Sequence, residues 1–310
     1  MAKIAVTRWI PDDAVKVLAE AGDVVVSPAD RPLAPDELHE FVSGADAVVG
    51  MLHDRLDGPL ADAAGPGLKV VANVAVGYDN VDVPALAERG VVVTNTPGVL
   101  TDATADLAFG LLLAVTRRLG EGERLLRSRT PWSFHLGFLL GSGLQGKTLG
   151  IVGYGQIGRA VAKRAEAFGM TIVHSGRSSQ GSVPFGELLA RSDVVSLHCP
   201  LTPETRHLID AASLRAMKPS AYLVNTTRGP VVDEAALADA LEAGEIAGAA
   251  LDVFEKEPEV EPRLLGRDDV VLSPHLGSAT VETRTAMAVL AARNVVAVLA
   301  GRAPLTEVKP

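Results

Sequence analysis

The chain has 310 residues, 47% hydrophobic and 22% charged, with a formal net charge of −9. That is a globular composition long enough for two domains of ordinary size. The acidic balance and the scatter of Lys and Arg, with Arg117-Arg118 the densest pair, exclude the clustered basic face that nucleic acid needs. The start, MAKIAVTRWIPDD, has no long apolar stretch and meets Asp12-Asp13 early, so no signal peptide is expected. The most hydrophobic window, 107–115, is far short of a membrane span. A single cysteine, Cys199, rules out an internal disulfide and fits a reducing compartment. A cytoplasmic protein with no membrane partner is expected.

Short apolar runs at 4–6, 24–26, 47–51, 70–76 and 91–93 alternate with amphipathic stretches at 12–21, 35–42, 59–64 and 83–89. The alternation predicts a parallel sheet covered by helices on both faces. Ligands of such sheets bind beyond the carboxyl ends of strands. Two turns are therefore candidate substrate contacts: Met51-Leu52-His53 after the third run, and Val76-Gly77-Tyr78-Asp79 after the fourth. Asn95-Thr96-Pro97-Gly98 marks a turn and hinge. From Thr101 a long helix is expected, carrying Leu107, Leu111, Leu112 and Val115 toward a core. A charged helical stretch follows at 121–129. The segment 130–140 holds Trp132, Phe134 and Phe138 without a clear period. An apolar arm of that kind suits a subunit contact better than a free loop.

The stretch TLGIVGYGQIGRAVAKRAEAFGMTIVHSGRS, 148–178, has the order strand, glycine-rich turn, helix, strand. That is the βαβ unit of dinucleotide binding. Gly153 permits the tight turn, Gly155 lets backbone approach a pyrophosphate, and Gly158 lets the helix pack on the strand. With Gln156 and Ile157 they open a helix whose N-terminus favours phosphate. Further apolar runs at 194–198, 221–225, 249–252 and 270–272 complete a six-stranded doubly wound sheet from about 97 to 281. The last helix, 281–299, is expected to pack back on the first domain and make it discontinuous.

Enzymes that use NAD place Asp or Glu at the end of the second strand to hydrogen-bond the ribose 2′-OH. Here that position falls at Gly176, and no acid occurs between Glu166 and Glu187. Ser175, Arg177 and Ser178 offer hydroxyls and a guanidinium to a 2′-phosphate instead, which favours NADP(H) over NAD(H). A solvated arginine in a serine-rich turn is the alternative.

The later strand ends carry Asn225-Thr226-Thr227-Arg228-Gly229, then Leu251-Asp252-Val253-Phe254-Glu255-Lys256-Glu257-Pro258, then Ser273-Pro274-His275-Leu276-Gly277. Arginine, acid and histidine share one edge of the sheet, and their chemistry fits reduction of a 2-keto acid. A guanidinium can take a carboxylate with two parallel hydrogen bonds and polarise a carbonyl. Histidine can deliver a proton to the oxygen left when hydride reaches carbon, and a neighbouring carboxylate favours its imidazolium. Of seven histidines, His275 stands out by its place after a strand on the cofactor edge. His198 also ends a strand, but on the adenosine and phosphate side, and is taken as structural.

The sequence resembles the D-isomer-specific 2-hydroxyacid dehydrogenases over essentially its whole length. The likeness is carried by NVAVGYDNVD at 73–82, GYGQIG at 153–158, HCPLTPET at 198–205, NTTRG at 225–229, GAALDVFEKEP at 248–258 and SPHLGSAT at 273–280. The resemblance implies that Arg228, Glu257 and His275 are catalytic. Glu255 is the rival acid, and the family's placement of the acid directly before proline selects Glu257. It further implies a Rossmann cofactor domain, 97–281, inserted into a flavodoxin-like substrate domain of 1–96 and 282–310, and a homodimer built through an arm near 119–145. Leu52, Val76, Gly77, Arg228 and His275 are then substrate contacts. Thr104, Cys199, Pro200, Thr205, Thr226, Thr227, Asp252 and Gly277 join the glycine turn as cofactor contacts.

Within the family, Met51-Leu52-His53-Asp54 and PGVLTDATADLA at 97–108 are most similar to glyoxylate/hydroxypyruvate reductases. That predicts NADPH-dependent reduction to glycolate or D-glycerate. A reductase of another small 2-keto acid, or a phosphite oxidiser, would use the same three residues. A dinucleotide-sensing protein like the corepressors of this fold would carry partner-binding tails and show negligible turnover.

Overall fold

Valine- and alanine-rich runs with almost no polar residue are what strands buried on both faces look like, and each such run forms a strand. A computed structural model of the chain describes residues 1–176 and 180–310. The first strands are β1 (Ala2–Val6), β2 (Gly22–Val26), β3 (Ala47–Gly50), β4 (Val70–Asn73) and β5 (Val92–Thr94). Between them lie α1 (Asp12–Ala19), α2 (Pro35–Val42), α3 (Gly58–Ala64) and α4 (Val83–Glu88). Every residue of β3 and β4 is buried. Asp57 caps α3 by accepting the Leu60 N–H at 3.1 Å, a short polar side chain replacing a missing backbone acceptor.

Next come α5 (Thr101–Thr116), α6 (Leu119–Arg127), β6 (Thr148–Val152), α7 (Gln156–Ala167), β7 (Thr171–Ser175), α8 (Phe185–Arg191), β8 (Val194–Leu197), α9 (Ala211–Ala216) and β9 (Tyr222–Asn225). They are followed by α10 (Glu234–Glu242), β10 (Gly248–Leu251), α11 (Pro262–Leu265), β11 (Val270–Leu272), α12 (Val281–Leu299) and β12 (Glu307–Val308).

The chain divides into two units, residues 1–100 with 279–310, and residues 101–278. Each has a six-stranded sheet. In the first the order is β12-β5-β4-β3-β1-β2, parallel except for the antiparallel edge strand β12. Leaving β12 aside, this is the flavodoxin-like order. Helix α12 packs on this sheet, with Ala288, Ala291, Ala292 and Val295 against Ile4, Val6, Val49 and Val70. In the second unit the order is β11-β10-β9-β8-β6-β7, all parallel. One face of that sheet is covered by Leu188, Leu214 and Leu237 from α8, α9 and α10. The other is covered by Leu112 and Val161 from α5 and α7. The fold class expected from the alternation, two doubly wound α/β units, is the one observed. Among the described residues no helix is long and apolar enough to cross a membrane.

Candidate active site

In the second unit the chain leaves β6 toward β7 on one side and later returns as β8 on the other. Such a point of reversal is where open α/β sheets bind ligands. The glycine turn sits there. Gly153 has φ +93°, and a Cβ on it would stand 2.5 Å from backbone atoms of His198 and Cys199, so no other residue fits. A Cβ on Gly155 would meet nothing within 4 Å among the described residues. Packing therefore leaves Gly155 open space at the N-terminus of α7, where unpaired N–H groups and the helix dipole favour a pyrophosphate. The Thr226 hydroxyl, just past β9, is buried without a hydrogen-bond partner among the described residues, as expected of a group that completes its bonding with a ligand. These residues fit a dinucleotide.

Around this turn, Ser175 closes β7 and its carbonyl accepts the Gly153 N–H at 2.8 Å. His174 stacks on Tyr154, with ring centroids 3.9 Å apart. Arg177 and Ser178, on which the choice of dinucleotide turns, lie outside the described residues. Cys199 is buried, and desolvation pushes its thiol up to about 11. The Thr205 hydroxyl donates to the Pro200 carbonyl at 2.7 Å and accepts the Thr202 N–H at 2.7 Å, so it closes its own loop. Thr104, on α5, donates to the Gly277 carbonyl at 3.0 Å.

Strands β9, β10 and β11 are neighbours and parallel, so the turns that follow them leave one edge together. Arg228 comes after β9, Glu257 after β10 and His275 after β11. His275 Nδ1 lies 2.9 Å from Glu257 Oε2 and 3.2 Å from Oε1. Glu257 Oε1 also accepts the Phe254 N–H at 3.1 Å. His275 has φ +54°, a left-handed conformation that costs a non-glycine residue free energy. Asp252 holds it there. The His275 N–H donates to the Asp252 carbonyl at 2.8 Å, and the buried Asp252 carboxylate accepts the N–H groups of Leu276 at 2.7 Å and Gly277 at 2.8 Å. The Ser273 hydroxyl donates to it at 2.5 Å. Burial pushes the Asp252 carboxyl above its ordinary value against the pull of these donors.

Arg228 is half-buried. Its turn is shaped by the buried Asn225, whose Nδ2 donates to the Arg228 carbonyl at 3.0 Å and whose Oδ1 accepts the Thr227 N–H at 3.0 Å and its hydroxyl at 3.1 Å. A Cβ on the adjacent Gly229 would overlap backbone of Phe254 and Glu255, so glycine lets the turn after β9 touch the loop of Glu257. Glu255 goes elsewhere: its Oε1 lies 2.6 Å from His207 Nε2.

In the first unit, the turn after β4 is set by asparagines. Asn95 Nδ2 donates to the Val76 carbonyl at 2.8 Å and Asn73 Nδ2 to the Gly77 carbonyl at 3.0 Å. Asn80 Nδ2 donates to the carbonyls of Met51 and Asp54 at 3.2 and 3.0 Å, joining this turn to the one that carries Leu52. Buried Asp54 accepts the Thr7 hydroxyl at 2.5 Å and the Met51 N–H at 2.7 Å.

Sequence reasoning passed over Asn73, Asn80, Asn225 and the bracing part of Asp252. The signal available was their place inside the strand-end motifs NVAVGYDN, NTTRG and GAALDVFEKEP, where a polar side chain finds backbone groups to satisfy.

A doubly wound unit with a glycine cradle at its switch point, and a histidine–carboxylate pair beside an arginine on the same sheet, defines a nicotinamide-dinucleotide oxidoreductase in its architecture. The chain belongs to the D-isomer-specific 2-hydroxyacid dehydrogenases: the profile of that family's NAD-binding domain matches residues 109–277. It is 47% identical to a glyoxylate reductase of Thermococcus litoralis, over 97% of this chain and 95% of that protein. Among solved structures, a Thermus thermophilus protein superposes with a TM-score of 0.93 at 46% identity, covering 99% of each chain. An NADPH-dependent glyoxylate/hydroxypyruvate reductase of Sinorhizobium meliloti, solved with NADP and malonate, has a TM-score of 0.86 at 38% identity, over 99% of this chain and 96% of that one.

Proposed function

We propose that the protein is an NADPH-dependent reductase of small 2-keto acids, taking glyoxylate to glycolate and hydroxypyruvate to D-glycerate. The observation that carries this reading is the His275–Glu257 pair, 2.9 Å between Nδ1 and Oε2, at the strand edge that also carries Arg228. The glycine turn of Gly153, Gly155 and Gly158 with Thr226 would hold the dinucleotide, which when bound would supply a hydride for the carbonyl carbon. Arg228 holds the substrate's carboxylate and carbonyl oxygen, a task that suits its planar fork of donors. His275 gives a proton to that oxygen as it becomes an alkoxide. With Nδ1 held by Glu257, Nε2 is the nitrogen that donates, and the carboxylate stabilises the charged ring before the transfer. A well-aimed donor to a developing oxyanion contributes roughly 3–4 kcal/mol.

In the first unit we assign Leu52 and the N–H groups of Val76 and Gly77 to the substrate. The carbonyls of Val76 and Gly77 are already taken by asparagines, while their N–H groups have no partner among the described residues. For the cofactor's 2′-phosphate, the absence of any acid between Glu166 and Glu187 supports NADPH, as does the NADP bound in the structure of the Sinorhizobium relative. The one buried thiol suits a reducing cytoplasm.

A homodimer is proposed through the arm. Helix α6 has no buried residue, and Leu126, Trp132, Phe134, Leu136 and Leu140 are exposed. An apolar surface of that kind calls for a second copy.

Initial rates with glyoxylate, hydroxypyruvate and pyruvate against NADPH and NADH test the reading. The highest kcat/KM is expected for one of the first two substrates with NADPH. Faster turnover of pyruvate would overturn the substrate, and a higher kcat/KM with NADH the cofactor.

A further inference from the structure

The loop between β10 and α11 carries Glu257. A second carboxylate reaches into that loop. Glu234, the first residue of α10, is 6% exposed, and charged side chains are almost never buried without partners. Its partners are in the loop. Oε1 accepts the N–H of Glu255 at 2.5 Å and Oε2 the N–H of Glu261 at 3.2 Å. These two residues flank Glu257.

The contact is reciprocal, because the Glu234 N–H lies 3.5 Å from Glu255 Oε2. The Glu255 side chain is held from its far side by His207 at 2.6 Å and Arg206 at 3.5 Å. The Arg206 guanidinium and the His207 ring thus occupy the second carboxylate of the cluster. An acid at the start of α10 could serve the helix dipole alone, but such an acid faces solvent or its own first turn. Glu234 spends both oxygens on another segment.

We propose that Glu234 is a positioning residue for the Glu257–His275 pair: by taking the N–H groups on both sides of Glu257 it fixes the loop from which that carboxylate reaches the imidazole. The inference rests on the proposed action of Glu257 on His275. Burial pushes the Glu234 carboxyl above its ordinary value while the two backbone donors pull it down, which agrees with a carboxylate placed for its acceptor oxygens at some desolvation cost.

The test is a double-mutant cycle in the full-length protein with glyoxylate and NADPH. Glu234→Gln leaves one acceptor oxygen where two N–H groups need one each. It is expected to lower kcat about tenfold, as small displacements of a catalytic group do, and to leave the Kd for NADPH within about twofold. Glu257→Gln alone is expected to lower kcat about a hundredfold. In the Glu257→Gln background, Glu234→Gln should then change kcat by less than about twofold, since its effect passes through Glu257.

A tenfold loss that persists in that background would overturn the proposal, because it would mark a general structural role. So would an unchanged kcat in the Glu234→Gln single variant. Near-normal turnover of Glu257→Gln would bring down the proposed action of Glu257 and the positioning role with it. Should Glu234→Gln not fold, Glu234→Asp, which sets both oxygens back by one methylene, enters the same cycle with the same expectations.

Discussion

His275 occupies a left-handed backbone conformation that a histidine does not choose alone. Three carboxylates organise its surroundings: Glu257 on the ring, Asp252 on its turn, and Glu234 on the loop of Glu257. His198 meets the opposite fate. Its Nε2 lies 2.8 Å from Ser196 Oγ, and desolvation pushes the ring down from 6.5 to about 4. Between those values the unfolded chain binds a proton that the folded chain refuses. Stability from this group is therefore complete above pH 6.5 and is lost as the pH falls toward 4. His198 keeps some exposed surface, so the loss is roughly 2 kcal/mol rather than the full shift. Urea unfolding at pH 7 and pH 4.5 is expected to show wild type losing about 2 kcal/mol more than His198→Asn. Equal losses would contradict a ring held neutral by desolvation.

At the scale of elements, the glycine turn separates two reasons for having no side chain. Gly153→Ala forces a Cβ into the backbone after β8 at positive φ and is expected to cost roughly 2–4 kcal/mol of folding stability. Gly155→Ala meets nothing among the described residues, so its Tm should match wild type while its Kd for NADPH rises about tenfold, some 1.4 kcal/mol. A Gly155→Ala protein that binds NADPH normally would remove the pyrophosphate from this turn.

The same elements show what a sequence displays. Strands β3, β4, β8 and β10 are buried along their whole length, and that is why their apolar runs were visible. Edge strand β12 has two residues and pairs antiparallel with β5; its ladder depends on Asn294 and Thr306 holding the tail, which no local pattern announces. The residues of the His275–Glu257 pair stood in recognisable strand-end motifs. Glu234 did not, because its partners lie 21 and 27 residues away and an acid at the start of a helix has an ordinary local explanation. The choice between Glu255 and Glu257 was settled in sequence only by likeness, whereas His207 shows physically where Glu255 is spent.

For the whole molecule, the exposed arm is the feature a single chain does not explain. Trp132 stacks on Phe138 with centroids 5.7 Å apart, yet Phe134 and Leu136 remain 80% and 88% exposed. Sedimentation should give wild type twice the chain mass of 32.3 kDa, and Phe134→Glu with Leu136→Glu a monomer. A monomeric wild type would leave the arm without a role in assembly.

The reaction itself is tested by following the hydrogen. With glyoxylate and NADPH deuterated at both C4 positions, each NADPH oxidised should place one deuterium on C2 of glycolate. His275→Ala should bind NADPH as wild type does and form almost no glycolate. Glycolate without deuterium, or a His275→Ala protein with wild-type turnover, would contradict hydride transfer assisted by His275.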